Sequence, residues 1–174
     1  MCSSDLTNMG PDVQDLFIEA GNPDDTTQYM YQDEWLNFEI IPQTIRIKDS
    51  EEEDGFRIEE FEIRKTIHGP IVKEDEELLA LSCTGHQFDG EMEAFYRLNH
   101  AQDWGEFSLA LSHFSTAPQN FVYADIEGNI GYYGAGKVPI RKSGSGIFPV
   151  PGWSGEFDWE GYIPFEDMPH IYNP

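Results

Sequence analysis

The chain has 174 residues, the length of one domain or of part of a larger one, and its 14% aromatic content is too high for a disordered chain. Its 33 acidic and 10 basic side chains give a formal net charge of −23, which argues against nucleic acid or an anionic membrane as partner. The charge is typical of a solvated acidic surface or of a high-salt source, and divalent cation binding is compatible with both.

The N-terminal half has the pattern of strands separated by an acidic turn. Residues 35–48 alternate apolar and polar side chains, which predicts a strand. Residues 49–55, DSEEEDG, predict a solvated turn, because they lack the spacing and the final Glu of a calcium-binding loop. Residues 56–64 predict the returning strand, and the shift of its apolar phase between Ile58 and Phe61 predicts a β-bulge.

Two helices are predicted in the middle of the chain. Asp89 is placed to cap the first, which extends to about Asn99. Asp103 and Glu106 have the spacing of a capping box at the start of the second. The predicted apolar faces consist of Met92, Phe95, Tyr96 and Asn99 in the first helix and of Phe107, Ala110, Leu111 and Phe114 in the second.

A β-hairpin is predicted after the helices. Phe121–Ala124 has the aromatic and β-branched bias of a strand, Glu127–Asn129 has turn residues, and Ile130–Val138 predicts the returning strand. The glycines in that second strand indicate close backbone approach. The order of strands, then two helices, then strands favours an α+β fold over alternating βαβ units.

Four longer sequence elements occur in order along the chain. Thr7–Phe17 reads TNMGPDVQDLF and Thr66–Val72 reads TIHGPIV. Tyr123–Tyr132 reads YADIEGNIGY, and Pro149–Phe165 reads PVPGWSGEFDWEGYIPF. Together with the closing Asn173–Pro174, these elements resemble the penicillin acylase (penicillin amidase) family of N-terminal-nucleophile hydrolases. The match is far longer than a single short motif and is correspondingly specific.

The resemblance covers Thr7–Pro174 and implies an incomplete domain from the β-subunit region, part of a four-layer αββα sandwich of mostly antiparallel strands. Relatives carry a Trp-Gly before the first element, and we expect residues 1–6, which replace it, to be a non-native start. Cys83 is then the single native cysteine, so no internal disulfide is predicted. It ends the apolar run Leu78–Cys83, which predicts a buried strand and a structural role for this thiol.

The resemblance also implies an activity, hydrolysis of a linear amide through an acyl-enzyme intermediate. In the family the first residue of the β-subunit is the nucleophile and its own α-amino group is the base. We expect that nucleophile and the Asn side chain of the oxyanion hole to lie outside this chain, so the fragment alone is predicted to be inactive. Asn8 matches the position whose main-chain N–H is the other oxyanion donor.

The substrate stays open between the acyl side chain of a β-lactam, an acyl-homoserine lactone and a lipopeptide or related acylated amine. The alternative class of protein is a non-catalytic, acidic, calcium-binding β-rich module.

A cation site is a second candidate. From spacing alone, Asp12 and Asp15 are either two surface residues or two carboxylates aimed at one hard cation, with a backbone carbonyl between them. The resemblance implies the second case: one structural calcium bound by Asp12, Asp15 and the carbonyl of Gln14, with a further carbonyl near Gly146. The remaining ligands are expected outside this chain.

Other expectations concern His68, the partners and the location of the protein. His68 is expected to be structural, because enzymes of this kind use an α-amino group as base and need no histidine. The implied partners are a small-molecule amide and the remaining α- and β-subunit segments of the same precursor, with no nucleic acid or membrane. The sequence contains no signal peptide or membrane-spanning run. The resemblance implies a periplasmic or secreted protein.

Overall fold

The computed structural model of the protein describes residues 3–52, 55–75, 77–86 and 90–174. The chain divides into two compact units. The helix-bearing unit comprises Met1–Gln14, Cys83–Gly144 and Trp159–Pro174. The six-stranded unit comprises Asp15–Ser82 and Ser145–Asp158.

The described residues form fourteen strands and two α-helices. The strands before the helices are β1 (Ser3–Asn8), β2 (Gln14–Glu19), β3 (Gln28–Tyr31), β4 (Glu34–Asn37), β5 (Glu39–Lys48), β6 (Phe56–Thr66), β7 (Gly69–Glu74) and β8 (Leu78–Cys83). The helices are α1 (Glu91–Leu98) and α2 (Trp104–Leu111). The strands after the helices are β9 (Gln119–Ala124), β10 (Ile130–Ala135), β11 (Pro139–Arg141), β12 (Val150–Pro151), β13 (Trp159–Tyr162) and β14 (His170–Tyr172).

The helix-bearing unit is built on a four-stranded sheet in the order β1-β9-β10-β14, with every neighbouring pair antiparallel. Its core forms because β9 alternates: Phe121 and Tyr123 point inward and are buried, whereas Val122 between them is half exposed. The inward residues join Phe107 and Leu111 of α2 in one apolar cluster. This is the burial of one helix stripe and one sheet face that an α+β unit requires.

The hairpin β9–β10 confirms the predicted strand–turn–strand pattern, although its second strand ends at Ala135 and not at Val138. The turn has a clear physical cause. Gly128 has a φ of 89°, which a side chain would disfavour. The Asp125 carboxylate accepts hydrogen bonds from the main-chain N–H groups of Glu127 and Asn129 and from the Asn129 side chain. The Asn129 hydrogen bond lowers the pKa of Asp125, because it stabilises the ionised carboxylate. Close approach at Gly131 is also confirmed, since a Cβ there would lie 2.4 Å from the Trp104 ring.

The six-stranded unit is a sheet in the order β12-β2-β8-β7-β6-β5. The pairs β5–β6, β6–β7 and β7–β8 are antiparallel, and β12 pairs with β2 in parallel. The predicted buried strand at Leu78–Cys83 is β8, with Ala80 fully buried. A separate hairpin, β3–β4, turns through Gln32 and Asp33, both at positive φ.

Residues 35–48 were predicted as one strand and in fact form two. Phe38 separates β4 from β5, is buried and packs on Tyr29 at a ring-centroid distance of 5.0 Å.

The predicted β-bulge is wrong: β5 and β6 keep one register from Glu39↔Lys65 to Lys48↔Phe56. Both faces of this ribbon are largely exposed, so its apolar phase changes face without any interruption of the ladder.

The second helix was predicted well and the first was not. In α2 the Asp103 carboxylate accepts a hydrogen bond from the Glu106 N–H at 2.9 Å, and the predicted apolar face is buried. Glu106 reaches back to the N–H of Gln102, one residue before the cap. In α1 the buried residue is Ala94, whereas Met92 is 84% exposed. The side of α1 that packs against the rest of the unit is therefore marked by a small side chain, Ala94. Asp89, the predicted cap of this helix, lies outside the described residues.

Candidate functional site

Asn8 lies at the end of β1, the edge strand of the four-stranded sheet, and faces Gln119 of β9. Met9, the next residue, donates its N–H to the carbonyl of Pro118 at 3.0 Å. Antiparallel ladders alternate between hydrogen-bonded and non-hydrogen-bonded pairs, so Asn8 forms a non-hydrogen-bonded pair. Its main-chain N–H therefore points away from β9, along the open edge of the sheet.

The Asn8 side chain is directed to its own sheet. Its Oδ1 accepts a hydrogen bond from Nε2 of Gln119 at 3.1 Å, and its carbonyl oxygen accepts one from Nδ2 of Asn120 at 3.1 Å. These contacts fix the end of β1 against β9. The register places the main-chain N–H of Asn8 on the side of β1 that faces away from β9.

Asp12 and Gln14 follow within the helix-bearing unit. Oδ1 of Asp12 accepts a hydrogen bond from the Gln14 N–H at 3.2 Å, which shapes the turn into β2. Arg141 donates to the carbonyl oxygen of Asp12 at 3.2 Å and lies 4.0 Å from its Oδ1. The Asp12 carboxylate is thus about half exposed and has one cationic neighbour. The Gln14 side chain donates to Sγ of Cys83 at 3.4 Å.

Asp15 and Gly146 belong to the six-stranded unit. Asp15 begins the buried side of β2, which continues through Phe17 and Glu19, and is 4% exposed. Gly146 has a φ of 78° in the loop before β12. Carboxylate and carbonyl oxygens are the donors that calcium prefers, so the donor types at the four predicted positions fit this ion. Within the described residues no three His, Cys, Asp or Glu side chains are grouped to hold a metal.

His68 lies at the centre of a buried polar cluster in the six-stranded unit. Its Nδ1 is 2.8 Å from Oε1 of Glu19, and its Nε2 is 3.1 Å from Oδ1 of Asp158. Thr66 donates its hydroxyl to Oε1 of Glu19 at 2.7 Å. The imidazole stacks on the Phe17 ring, with 4.0 Å between the centroids. These contacts describe His68 as a buried residue bound on two sides by carboxylates.

Tyr31 completes the cluster. Its hydroxyl donates to Oδ2 of Asp158 at 2.7 Å, and Nε2 of Gln32 donates to that hydroxyl at 3.1 Å. The hydrogen bond to Asp158, followed by burial, raises the pKa of Tyr31 to about 12. The phenol therefore remains a donor throughout the physiological range.

Sequence reasoning singled out His68 but missed Glu19, Asp158 and Tyr31. One signal was available for Glu19, because Asp15, Phe17 and Glu19 alternate along β2 and an acidic residue in an inward phase requires a buried partner. No comparable signal marked Asp158, which lies 90 positions from His68 in the chain.

The two helices and the largely antiparallel sheets define an α+β protein. No helix in the described part of the chain is long and apolar enough to cross a membrane. The penicillin amidase family model matches residues 5–174, and the chain belongs to that family.

Relatives with established names agree with this assignment. The chain is 32% identical to penicillin G acylase of Escherichia coli, over 95% of this chain and 19% of that protein. It is 32% identical to penicillin acylase 2 proenzyme of a Pseudomonas species, over 97% of this chain and 21% of the relative. It is 30% identical to the acyl-homoserine lactone acylase QuiP of Pseudomonas fluorescens, over 97% and 20%.

The fold comparison confirms the predicted fold class. The structure of a thermostable penicillin G acylase from Alcaligenes faecalis superimposes with a TM-score of 0.81 at 27% identity, covering 99% of this chain and 31% of that one. The chain spans about one fifth of the length of the curated relatives that it matches.

Proposed function

We propose that the chain is a segment of an amidohydrolase that cleaves a linear amide through an acyl-enzyme intermediate. The names of its relatives support this class of reaction, and its coverage of about one fifth of their length supports a contribution from further segments of the same precursor. The relatives include both penicillin acylases and acyl-homoserine lactone acylases, so either type of acyl group, or that of a related acylated amine, is a candidate substrate. The terminal nucleophile would come from one of the other segments.

The observation that carries the proposal is the direction of the Asn8 N–H. When a nucleophile attacks the amide carbon, the carbonyl oxygen gains negative charge, and a donor already in place stabilises that oxyanion. The Asn8 N–H points out of the sheet edge, and the side chain and carbonyl of Asn8 are engaged with β9. This segment would therefore supply one fixed oxyanion donor. Collapse of the intermediate would release the amine, and water would then release the acid.

Activity measurements on two preparations test this function. The full-length parent should hydrolyse an acylated chromogenic amine, and the 174-residue chain alone should not, since the nucleophile is supplied elsewhere. Stoichiometric turnover by the pure chain would contradict the division of labour between segments. An inactive but correctly processed parent would favour the non-catalytic, calcium-binding module.

We also propose one structural calcium ion in the parent, held by the carboxylates of Asp12 and Asp15 and by the carbonyls of Gln14 and Gly146. The oxygen donors at these positions and the burial of Asp15 support it. When bound, calcium would supply positive charge that offsets the cost of burying a carboxylate. In keeping with the family resemblance, we propose a periplasmic or secreted location.

A further inference from the structure

The side chain of Asn120 reaches from β9 to two residues at the end of β1. Its Nδ2 donates to the carbonyl oxygen of Asn8 at 3.1 Å and to Oγ1 of Thr7 at 3.3 Å. Thr7 lies directly opposite Asn120 in the ladder, so the amide contacts its own partner and the next residue along the strand. A side-chain amide carries two hydrogens on its nitrogen, one for each of these oxygens.

The carbonyl of Asn8 lies on the same open edge of the sheet as its N–H. In an antiparallel ladder, a residue of a non-hydrogen-bonded pair directs both of its main-chain groups away from the facing strand. Asn8 forms such a pair with Gln119, because the next residue, Met9, donates its N–H to Pro118. The negative end of the Asn8 carbonyl dipole therefore lies on the side of the strand where the N–H would meet an oxyanion.

Tyr132 determines which way round the Asn120 amide lies. Its hydroxyl donates to Oδ1 of Asn120 at 2.8 Å, which leaves the hydrogens on Nδ2 for Thr7 and Asn8. With the amide reversed, the Asn120 oxygen would oppose the Asn8 carbonyl oxygen. All three contacts of the amide are therefore favourable in one orientation only.

Gly134 leaves room for the Tyr132 hydroxyl on this face of the sheet. It pairs with Asn120 in the β9–β10 ladder and lies two residues beyond Tyr132, hence on the same face. A Cβ at Gly134 would lie 3.1 Å from the hydroxyl oxygen of Tyr132 and 3.1 Å from Sδ of Met9. A side chain at position 134 would thus crowd the hydroxyl that orients Asn120.

We propose that Asn120 is a positioning residue for the oxyanion donor, an inference that rests on the proposed role of the Asn8 N–H. Asn120 holds the Asn8 main chain in place and, by donating to the Asn8 carbonyl, reduces the repulsion between that oxygen and the oxyanion. The oxyanion exists only near the transition state, whereas the carbonyl oxygen of the bound substrate carries much less charge. The contribution of Asn120 therefore falls on kcat more than on KM.

Steady-state kinetics of the full-length parent with an acylated chromogenic amine test this role. Asn120→Leu keeps the branched shape of the side chain and removes both donors. It should lower kcat about five- to tenfold, the size expected for one hydrogen bond, and leave KM nearly unchanged. Gln102→Leu is the matched control, because it removes another side-chain amide of the same unit, which donates to the carbonyl of His100 at 2.7 Å. It should change neither constant.

A double variant shows whether Asn120 acts through Asn8. In Asn8→Pro the donor is already absent, so adding Asn120→Leu should change kcat less than about twofold, because residues that act through one group are not additive. Tyr132→Phe keeps the ring and removes the hydroxyl that orients Asn120. It should lower kcat in the same direction as Asn120→Leu, but less, because the amide is still present.

The role of Asn120 is overturned if folded, processed Asn120→Leu keeps the wild-type kcat or changes only KM. It is also overturned if Asn120→Leu costs as much in the Asn8→Pro background as in the wild type. Should Asn120→Leu fail to fold, a wild-type kcat in Tyr132→Phe overturns it instead. Full activity of Asn8→Pro would refute the proposed function itself, whereas a loss in Asn8→Pro without a loss in Asn120→Leu would refute only the role of Asn120.

Discussion

The two units bury different chemistry. The helix-bearing unit packs α2 against β9 and β10 through aromatic side chains such as Phe107, Phe121 and Tyr133. The six-stranded unit buries Phe17 and Tyr29 together with Glu19, Thr66 and Asp15. The two cores therefore differ in composition: the first is mainly aromatic, and the second combines aromatic rings with buried polar and acidic side chains.

Charge widens this contrast. Residues of the six-stranded unit include 21 of the acidic and 6 of the basic side chains, against 12 and 4 in the helix-bearing unit. The six-stranded unit thus carries a net −15 and its neighbour −8, which together make the total of −23. Repulsion between negatively charged side chains is therefore greater in the six-stranded unit, which also holds the buried carboxylates of Asp15 and Glu19.

The largest effect is expected in the apolar core. Phe121 is 1% exposed and packs on Phe114 with 5.1 Å between ring centroids. Phe121→Ala should lower the free energy of unfolding by about 3–5 kcal/mol, because it removes buried surface and leaves a cavity. Chemical denaturation measures the loss. Val122→Ala, on the outward side of the same strand, is the matched control and should cost less than about 1 kcal/mol. Equal losses would contradict the assigned faces of β9.

The next effect concerns the edge of the same unit. In the active full-length parent, Asn8→Pro removes the proposed oxyanion donor and should lower kcat by roughly 100- to 1,000-fold, about 2.7–4 kcal/mol. The Asn8 N–H lies outside the ladder, so proline at this edge does not remove a sheet hydrogen bond. Asn8→Ala keeps the N–H and should change kcat little. If both variants, once shown to be folded and processed, lose activity equally, the side chain is the functional group.

Calcium is expected to stabilise the parent by an intermediate amount. A ligand at a hundredfold excess over its Kd adds about 2.7 kcal/mol to the free energy of unfolding. Replacing both Asp12 and Asp15 with Asn should abolish the rise in melting temperature caused by calcium. The control pair, Asp24→Asn and Asp33→Asn, removes two exposed carboxylates and should leave that rise intact. A rise that survives in the Asp12 and Asp15 variant would place the ion elsewhere.

A smaller loss is expected from the polar cluster of the six-stranded unit. Thr66→Val keeps the shape of the side chain but removes the hydroxyl that donates to Glu19 and accepts from the His68 N–H. It should lower the free energy of unfolding by about 1–3 kcal/mol, since it leaves buried polar groups with fewer partners. Thr44→Val on the exposed ribbon is the control and should be nearly neutral. If the two variants behave alike, the cluster contributes nothing to stability.

The smallest effect is expected from salt. Raising sodium chloride from about 0.01 M to about 1 M shortens the Debye length from roughly 30 Å to 3 Å and screens the self-repulsion. Hydrogen exchange should then slow in the six-stranded unit more than in the helix-bearing unit, because the former carries the greater net charge. If hydrogen exchange slowed equally in both units, the effect of salt on exchange would not be due to the difference in their net charge.

Periodic and turn signals predicted many of the elements. The second helix, the hairpin β9–β10 and β8 were anticipated from periodicity, capping and turn residues, all of which act within a few positions. The first helix shows the limit of such signals. Its apolar residues predicted a face centred on Met92 and Phe95, yet the packed residue is Ala94, because the neighbouring helix determines which side is covered.

The β5–β6 ribbon shows the same limit in strands. A shifted apolar phase predicts a bulge only when one face must be buried, and on this ribbon neither face is. The site predictions also depended on sequence for the residues and on the structure for their geometry. The family elements predicted Asn8, Asp12 and Asp15 as site residues by their positions, but the outward direction of the Asn8 N–H followed only from the register with β9.

Local sequence by itself therefore determined where many of the strands, turns and helices lie, because backbone preference and side-chain alternation act between near neighbours. It also determined the family, because long motifs in a fixed order rarely arise by chance. Only the tertiary structure decided that Glu19, His68 and Asp158 meet. His68 lies 49 positions from Glu19 and 90 positions from Asp158, and only the fold brings these distant parts of the chain together. The fold thus places two carboxylates against one imidazole, at 2.8 Å and 3.1 Å, an arrangement that no single residue in the sequence reveals.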